Sequence, residues 1–207
     1  MKAVATASFR TSESNKTMRF TKTIAVVLLA AAPGIGLIMT GVSLAEGRGP
    51  QIARGKYLVN AGGCNDCHTP HKLGPTGPEP DMTRFLAGHP DNVKIPTPPA
   101  LPPGPWVAVT TGDTAWSGPW GISYAANLTP DQASGLGIWT EGMFLKAMRT
   151  GKHMSAGRNI LPPMPWQSLA QLTDEDLKAI FAYLRTIPPV RNHVPNPAPP
   201  GGAANPE

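Results

Sequence analysis

The sequence predicts a mainly α fold: one small domain of three to four helices, broken by a long insertion rich in Pro and Trp. Three observations predict it. Three segments carry helical apolar periodicity with start and stop signals at their ends. The stretch from His71 to Asn127 lacks that periodicity and holds Trp106, Trp116 and Trp120 among prolines and glycines. Between the first helix and that stretch stands the pentapeptide Cys64-Asn65-Asp66-Cys67-His68, which contains both cysteines of the 207-residue chain.

The first helix is expected from about Gln51 to Ala61, with Ile52, Leu58 and Val59 as apolar surface and Gly62-Gly63 ending it. Gly55 lies inside it, where Gly costs about 1 kcal/mol relative to Ala, so close approach of another helix is the expected reason. The second runs from Glu141 to about Thr150. Thr140 is its N-cap, Trp139 and Phe144 form a hydrophobic staple, and Gly151 follows its C-terminus. Met143, Phe144, Ala147 and Met148 make its inward stripe. The third runs from Asp174 to about Thr186. Thr173 caps it, three acids sit at its positive end, Leu172 and Leu177 repeat the staple, and Pro188-Pro189 stops it. Leu177, Ile180, Phe181 and Leu184 face inward.

Insertion 71–127 reads as an ordered loop with one short hairpin around Trp106–Val109. Eleven prolines fall between Pro70 and Pro105. Long loops in compact domains are functional or disordered, and three Trp argue against disorder because their surface is costly to leave wet.

The ends define the domain as 46–190. Residues 1–45 read as a signal peptide: Arg19 and Lys22, an apolar run from Ile24, then Ser43-Leu44-Ala45 as a small-x-small cleavage site. Met18 would start a more ordinary leader. The alternative is an uncleaved anchor, although Ile24–Met39 is short for a bilayer span and carries Pro33, Gly34 and Gly36. Either way the folded part is placed outside the cytoplasm, in the periplasm. Residues 191–207 read as a flexible Pro-rich tail. The whole chain is +5, but the leader carries five Lys/Arg against one Glu, so the remainder is nearly neutral and gives no support to nucleic-acid binding.

C-x-x-C-H is the attachment signal for c-type haem. Two intervening residues put both sulfurs on one side of a short turn, matching two vinyl groups, and His68 then directs an imidazole at the iron. A thioredoxin-like dithiol would sit in a βαβ pattern, and a zinc site would need further ligands. Neither is found, so one haem c attached through Cys64 and Cys67 is expected.

A six-coordinate iron needs a partner opposite His68. Met143 and Met148 are expected as core filler, His71 is too close in sequence, His193 lies in the tail, and His89 and His153 are expected at the surface. Leu161-Pro162-Pro163-Met164-Pro165-Trp166 is a stiff, extended segment whose prolines preorganise a weak thioether ligand. Met164 is therefore the expected second ligand, with Met154 next. Trp166 and Tyr124 are expected to line the haem.

The order helix, C-x-x-C-H, helix, P-x-M-P, terminal helix resembles class I cytochromes c. More narrowly, the chain resembles the haem domains of cytochrome c subunits that serve periplasmic, membrane-bound alcohol and sugar acid dehydrogenases. The matching residues are Gly55-Lys56-Tyr57-Leu58, Gly62-Gly63-Cys64, Cys67-His68-Thr69-Pro70, Asn127-Leu128-Thr129-Pro130-Asp131, Gly135 through Thr140, Pro163-Met164-Pro165-Trp166, and Leu172-Thr173-Asp174-Glu175-Asp176-Leu177 through Arg185. The resemblance implies His68 and Met164 as iron ligands, and a crossing of the first and last helices at Gly55. It also implies a Pro carbonyl accepting the hydrogen bond of the axial His, with Pro75 and Pro78 as options. Two departures stand out: one haem motif where those subunits usually carry three, and a longer stretch from 71 to 127.

The expected function is electron transfer rather than catalysis: a carrier between a dehydrogenase donor and an oxidase or cytochrome acceptor. It would meet the membrane only through a partner or an uncleaved leader. A fixed haem subunit of a membrane dehydrogenase is the alternative, and an open-site haem enzyme or sensor the less favoured one.

Overall fold

The computed structural model describes residues 36–98 and 106–201. Most of the expected leader, including Met18, lies outside the described residues, as do 99–105 and 202–207. Among the described residues there are five α-helices: α1 (Gly36–Ala61), α2 (Cys64–His68), α3 (Glu141–Thr150), α4 (Trp166–Leu169) and α5 (Asp174–Leu184). Among these residues no helix is long and apolar enough to cross a membrane.

Capping decides where the long helices start. The Thr140 hydroxyl accepts from the Met143 amide at 3.2 Å, and the Thr173 hydroxyl accepts from the Asp176 amide at 3.1 Å. Each bond satisfies one amide that the first turn leaves unpaired. α3 has the expected bounds, and α5 ends two residues early. α1 begins well upstream of the expected Gln51 and carries Pro50 inside it.

One core unites the helices. Val59 from α1, Phe144, Ala147 and Met148 from α3, and Leu177, Ile180, Phe181 and Leu184 from α5 are all buried together. Phe144 and Phe181 meet with ring centroids 5.3 Å apart. α1 crosses α5 at Gly55, where a Cβ would lie 1.9 Å from the Ala179 carbonyl oxygen and 2.8 Å from Tyr183 Cβ. The helix pays Gly's conformational entropy because only Gly permits this approach. Arg54 and Asp176 clamp the crossing with two hydrogen bonds of 2.8 and 3.1 Å.

Residues 71–127 are more regular than the sequence suggests, and strand takes a larger share than a mainly α reading allows. β1 (His71–Gly74) and β2 (Gly77–Pro80) form an exposed hairpin. β3 (Ala108–Val109), β4 (Ala115–Gly118) and β5 (Gly121–Tyr124) form a second antiparallel sheet in that order. The expected hairpin near Trp106–Val109 is thus one edge of a three-stranded sheet. Its main turn, Pro119-Trp120 between Gly118 and Gly121, is concealed because β5 is buried at every position and shows no alternation. Trp116 is buried and Trp120 partly so, whereas Trp106 is largely exposed.

The tail read as flexible is laid down on the fold as far as Gly201. Ile122 and Ala198 exchange two backbone hydrogen bonds, at 2.8 and 3.0 Å, extending the sheet. Asn192 is fully buried, and its amide donates to the carbonyls of Ala87 at 2.6 Å and His89 at 2.8 Å. Its oxygen accepts from Arg84 at 2.7 Å and from the Asp91 amide at 2.9 Å. A Pro- and Asn-rich composition signals disorder only where no partner surface exists, and here buried carbonyls supply one.

Gly55→Ala is expected to lower stability by about 1–3 kcal/mol, the usual cost of overpacking, although Ala is the better helix former. Thermal unfolding followed by far-UV circular dichroism checks this.

Candidate haem site

The site begins at the end of α1. Gly63 takes a left-handed conformation (φ 63°), and a Cβ there would meet Asp66 Oδ2 at 2.7 Å. This reversal lets Cys64–His68 wind into one short helix, α2, closed by the Thr69 amide donating to the Asn65 carbonyl at 3.1 Å. The two cysteines and His68 therefore come from one turn and border one space.

His68 is buried, and its Nδ1–H donates to the Ala126 carbonyl at 2.7 Å. A carbonyl can only accept, so Nδ1 carries the proton and Nε2 keeps its lone pair. Burial pushes the imidazole below its ordinary pKa, and the Ala126 bond partly offsets this. The ring is therefore neutral and able to ligate at neutral pH. Burial raises both thiols, Cys64 and Cys67, so neither is poised as a reactive thiolate.

α2 opens on a cavity of about 360 Å³, within the size range of small-molecule and cofactor pockets. Cys64, Cys67 and His68 line one part, Trp116 and the run Ser123–Ala126 another, and Ile160–Pro165 a third. Met164 is among the last group. A buried His, a Met and two Cys thus converge on one apolar-walled space, a donor set suited to an iron porphyrin held by thioethers.

The other sequence candidates lie elsewhere. Met148 is in the core, Met82 is largely exposed, and neither Met143 nor Met154 borders the cavity. Trp166, expected at the haem, instead covers Gly151, where a Cβ would meet its ring at 2.4 Å. Tyr124 does line the cavity, and so does Trp116, which the sequence does not single out. Pro75 and Pro78 are exposed in the β1–β2 hairpin; the acceptor for His68 is Ala126. A backbone acceptor leaves no side-chain signature, which is why the sequence misses it.

His89 is buried, not at the surface. Its Nδ1 lies 2.9 Å from Thr114 Oγ1, its Nε2 3.2 Å from the Val93 carbonyl, and its ring 4.9 Å from that of Tyr124. Short polar neighbours conceal such a His in sequence. His153 is partly exposed and packs edge-on against Trp139. Neither His borders the cavity.

The family model of cytochrome c matches residues 52–188. The chain belongs to the cytochrome c family. Membership implies covalently bound haem c, and the residues around the cavity fit it. This cytochrome is 32% identical over 160 residues to the fructose dehydrogenase cytochrome subunit of Gluconobacter japonicus, covering 77% of this chain and 26% of that one. It is 31% identical over 132 residues to the gluconate 2-dehydrogenase cytochrome c subunit of Pantoea cypripedii, covering 64% and 22%. It is 28% identical over 156 residues to the cytochrome c subunit of the quinone alcohol dehydrogenase of Gluconobacter oxydans, covering 75% and 25%. The cytochrome spans about a quarter of the length of these curated relatives. By their names, each of these relatives is the cytochrome subunit of a dehydrogenase.

Burial holds His89 below its ordinary pKa of 6.5, with the bond to Val93 opposing this and Arg84 reinforcing it. The unfolded chain then binds more protons than the native one just below pH 6.5, so stability falls as pH drops through that value. Urea unfolding of the holoprotein between pH 7.5 and 5.5 is expected to show that loss, and His89→Gln to make the profile shallower.

Proposed function

We propose that this cytochrome carries single electrons in the periplasm through one six-coordinate haem c, attached at Cys64 and Cys67 and ligated by His68 and Met164. The observation that carries the reading is the convergence of these four side chains on one cavity, with His68 Nδ1 committed to Ala126. Bound haem supplies a one-electron Fe(III)/Fe(II) couple, and Met/His ligation favours a higher potential than His/His.

The chain's own contribution is fixity. His68 is held in one tautomer and one orientation by a backbone carbonyl, as ligating histidines require of their second nitrogen. Met164 sits in a run of prolines whose fixed φ lowers the entropy of holding the thioether in place. The walls are largely apolar, which would limit the reorganisation that accompanies a change of charge on bound haem. With His68 and Met164 both holding it, bound haem would supply outer-sphere electron transfer and would offer no open position to a substrate.

In this reading the exported protein begins at Glu46, after the leader, and its domain runs to Val190 with the sheet-bearing insertion 71–127. A dehydrogenase is the donor, and an oxidase or another cytochrome the acceptor. The second reading, a fixed haem subunit of a membrane dehydrogenase, is favoured by the names of the three relatives above, each a dehydrogenase subunit. An open-site haem enzyme is disfavoured because His89 and His153, the histidines considered as distal acid–base groups, lie off the cavity.

Oxidised holoprotein is expected to show the weak far-red Met-to-iron charge-transfer band, and the reduced protein to bind carbon monoxide slowly. Met164→Ala should abolish the band and speed carbon monoxide binding. Survival of the band in that variant would exclude Met164 as the ligand. Co-purification with a dehydrogenase from solubilised membranes would favour the fixed-subunit reading over the carrier.

A further inference from the structure

The wall formed by Ser123, Tyr124, Ala125 and Ala126 touches the loops on both sides of the cavity. At one end, the Ala126 carbonyl accepts from His68. At the other, Ser123 Oγ–H donates to the Pro162 carbonyl at 2.6 Å, two residues before Met164. Ser123 is buried, and its oxygen also accepts from Trp120 Nε1–H at 3.1 Å, which leaves its own proton for Pro162. The two contact points are three residues apart in extended chain, a separation of about 10 Å.

We propose that Ser123 is a positioning residue for Met164, and that Ser123–Ala126 acts as a strut that sets both axial ligands from one piece of backbone. The inference rests on the reading of Met164 as the second ligand.

The geometry supports a role beyond filling space. Ser123 pairs with Trp116 across the β4–β5 ladder, and its neighbour Ile122 is bonded twice to Ala198, so the strut is held on both edges. The Pro162 carbonyl lies in a stretch without regular secondary structure, and Pro162 and Pro163 have no backbone N–H to anchor it. Within the Met loop itself, the Met164 amide donates to Leu161 at 3.3 Å and the Trp166 amide to Met164 at 2.9 Å. These bonds shape the turn, whereas the bond from Ser123 ties that turn to the opposite wall. A hydroxyl is small enough to reach a carbonyl across the sheet's end and, unlike Ala or Val, can hold it.

The test uses holoprotein and reads how often the thioether leaves the iron. Carbon monoxide can bind the reduced six-coordinate form only when Met164 is off, so its binding rate reports that population. Ser123→Ala is expected to raise the rate about tenfold, the worth of one net hydrogen bond, and to weaken the far-red band. Ser123→Thr, which keeps the hydroxyl, should restore both towards wild type. Thr140→Ala, which removes the N-cap of α3, serves as the control for a merely structural effect: it should lower the unfolding temperature and leave the rate unchanged. If Ser123→Ala does not accumulate as holoprotein, Trp120→Phe removes the donor that orients the hydroxyl and should give a smaller rise. A rate in Ser123→Ala equal to wild type, or raised no more than in Thr140→Ala, overturns the inference while the Met164-dependent band stands. Rapid binding in wild type, unchanged by Met164→Ala, overturns the ligand reading and this inference with it.

Discussion

The hydrogen bond from His68 to the Ala126 carbonyl is the constraint on which the other features converge. It selects the tautomer that leaves Nε2 free, and it orients a buried ring that has no other polar partner among the described contacts. Such a bond is useful only if the carbonyl itself is fixed. The surrounding backbone does this through a ladder of short bonds: Gly88 to His68 at 2.7 Å, His89 to Ala125 at 2.9 Å, Ala125 to Thr114 at 2.9 Å, and Leu128 to Leu86 at 2.9 Å. Each is individually worth about 1 kcal/mol. Together they make displacement of Ala126 require the opening of several buried pairs at once.

The helices serve the same constraint from the other side. α2 can project its side chains toward Ala126 only if the end of α1 is held, and α1 is held by its crossing with α5. Gly55 permits the approach and the Arg54–Asp176 pair marks its register. That pair is exposed, so its net contribution is small. The apolar contacts of Val59, Leu177, Ile180 and Leu184 supply the stability. Position in the haem motif is thus set by hydrophobic burial in helices, whereas orientation of its ligand is set by hydrogen bonds from extended backbone.

This division explains what the sequence reveals. Helix periodicity, Thr caps and the crossing glycine are local or short-range signals, and Thr140, Thr173 and Gly55 fulfil them. The haem motif is likewise legible because its chemistry needs five consecutive residues. The second sheet is hidden for a physical reason: β5 is buried on both faces, so alternation is absent, and the other two strands, β4 beside it and β3 at the edge, are short. Asn192 and His89 are hidden because a buried polar side chain looks like a surface one until its partners are known. Asn192 satisfies all four of its hydrogen-bonding positions with groups about 100 residues away, a separation that no local pattern encodes.

A helical domain acquires strands here because of where free carbonyls can be found. Inside a helix every carbonyl except those of the last turn is already bonded to the amide four residues on. A ligand-orienting acceptor must therefore come from a helix end or from extended chain. Ala126 and Pro162, the two acceptors flanking the cavity, both lie in extended or irregular backbone. Such backbone is floppy unless its other polar groups are paired, and the cluster of Asn127, Thr129, Ser134 and Asn192 does that pairing. Asn127 donates to the Val190 carbonyl at 2.8 Å and accepts from the Thr129 amide at 3.0 Å, while Ser134 Oγ accepts from the Asn192 amide at 2.9 Å. The sheet and the bound tail follow from the same need: they stiffen the one extended segment that the two sides of the site share.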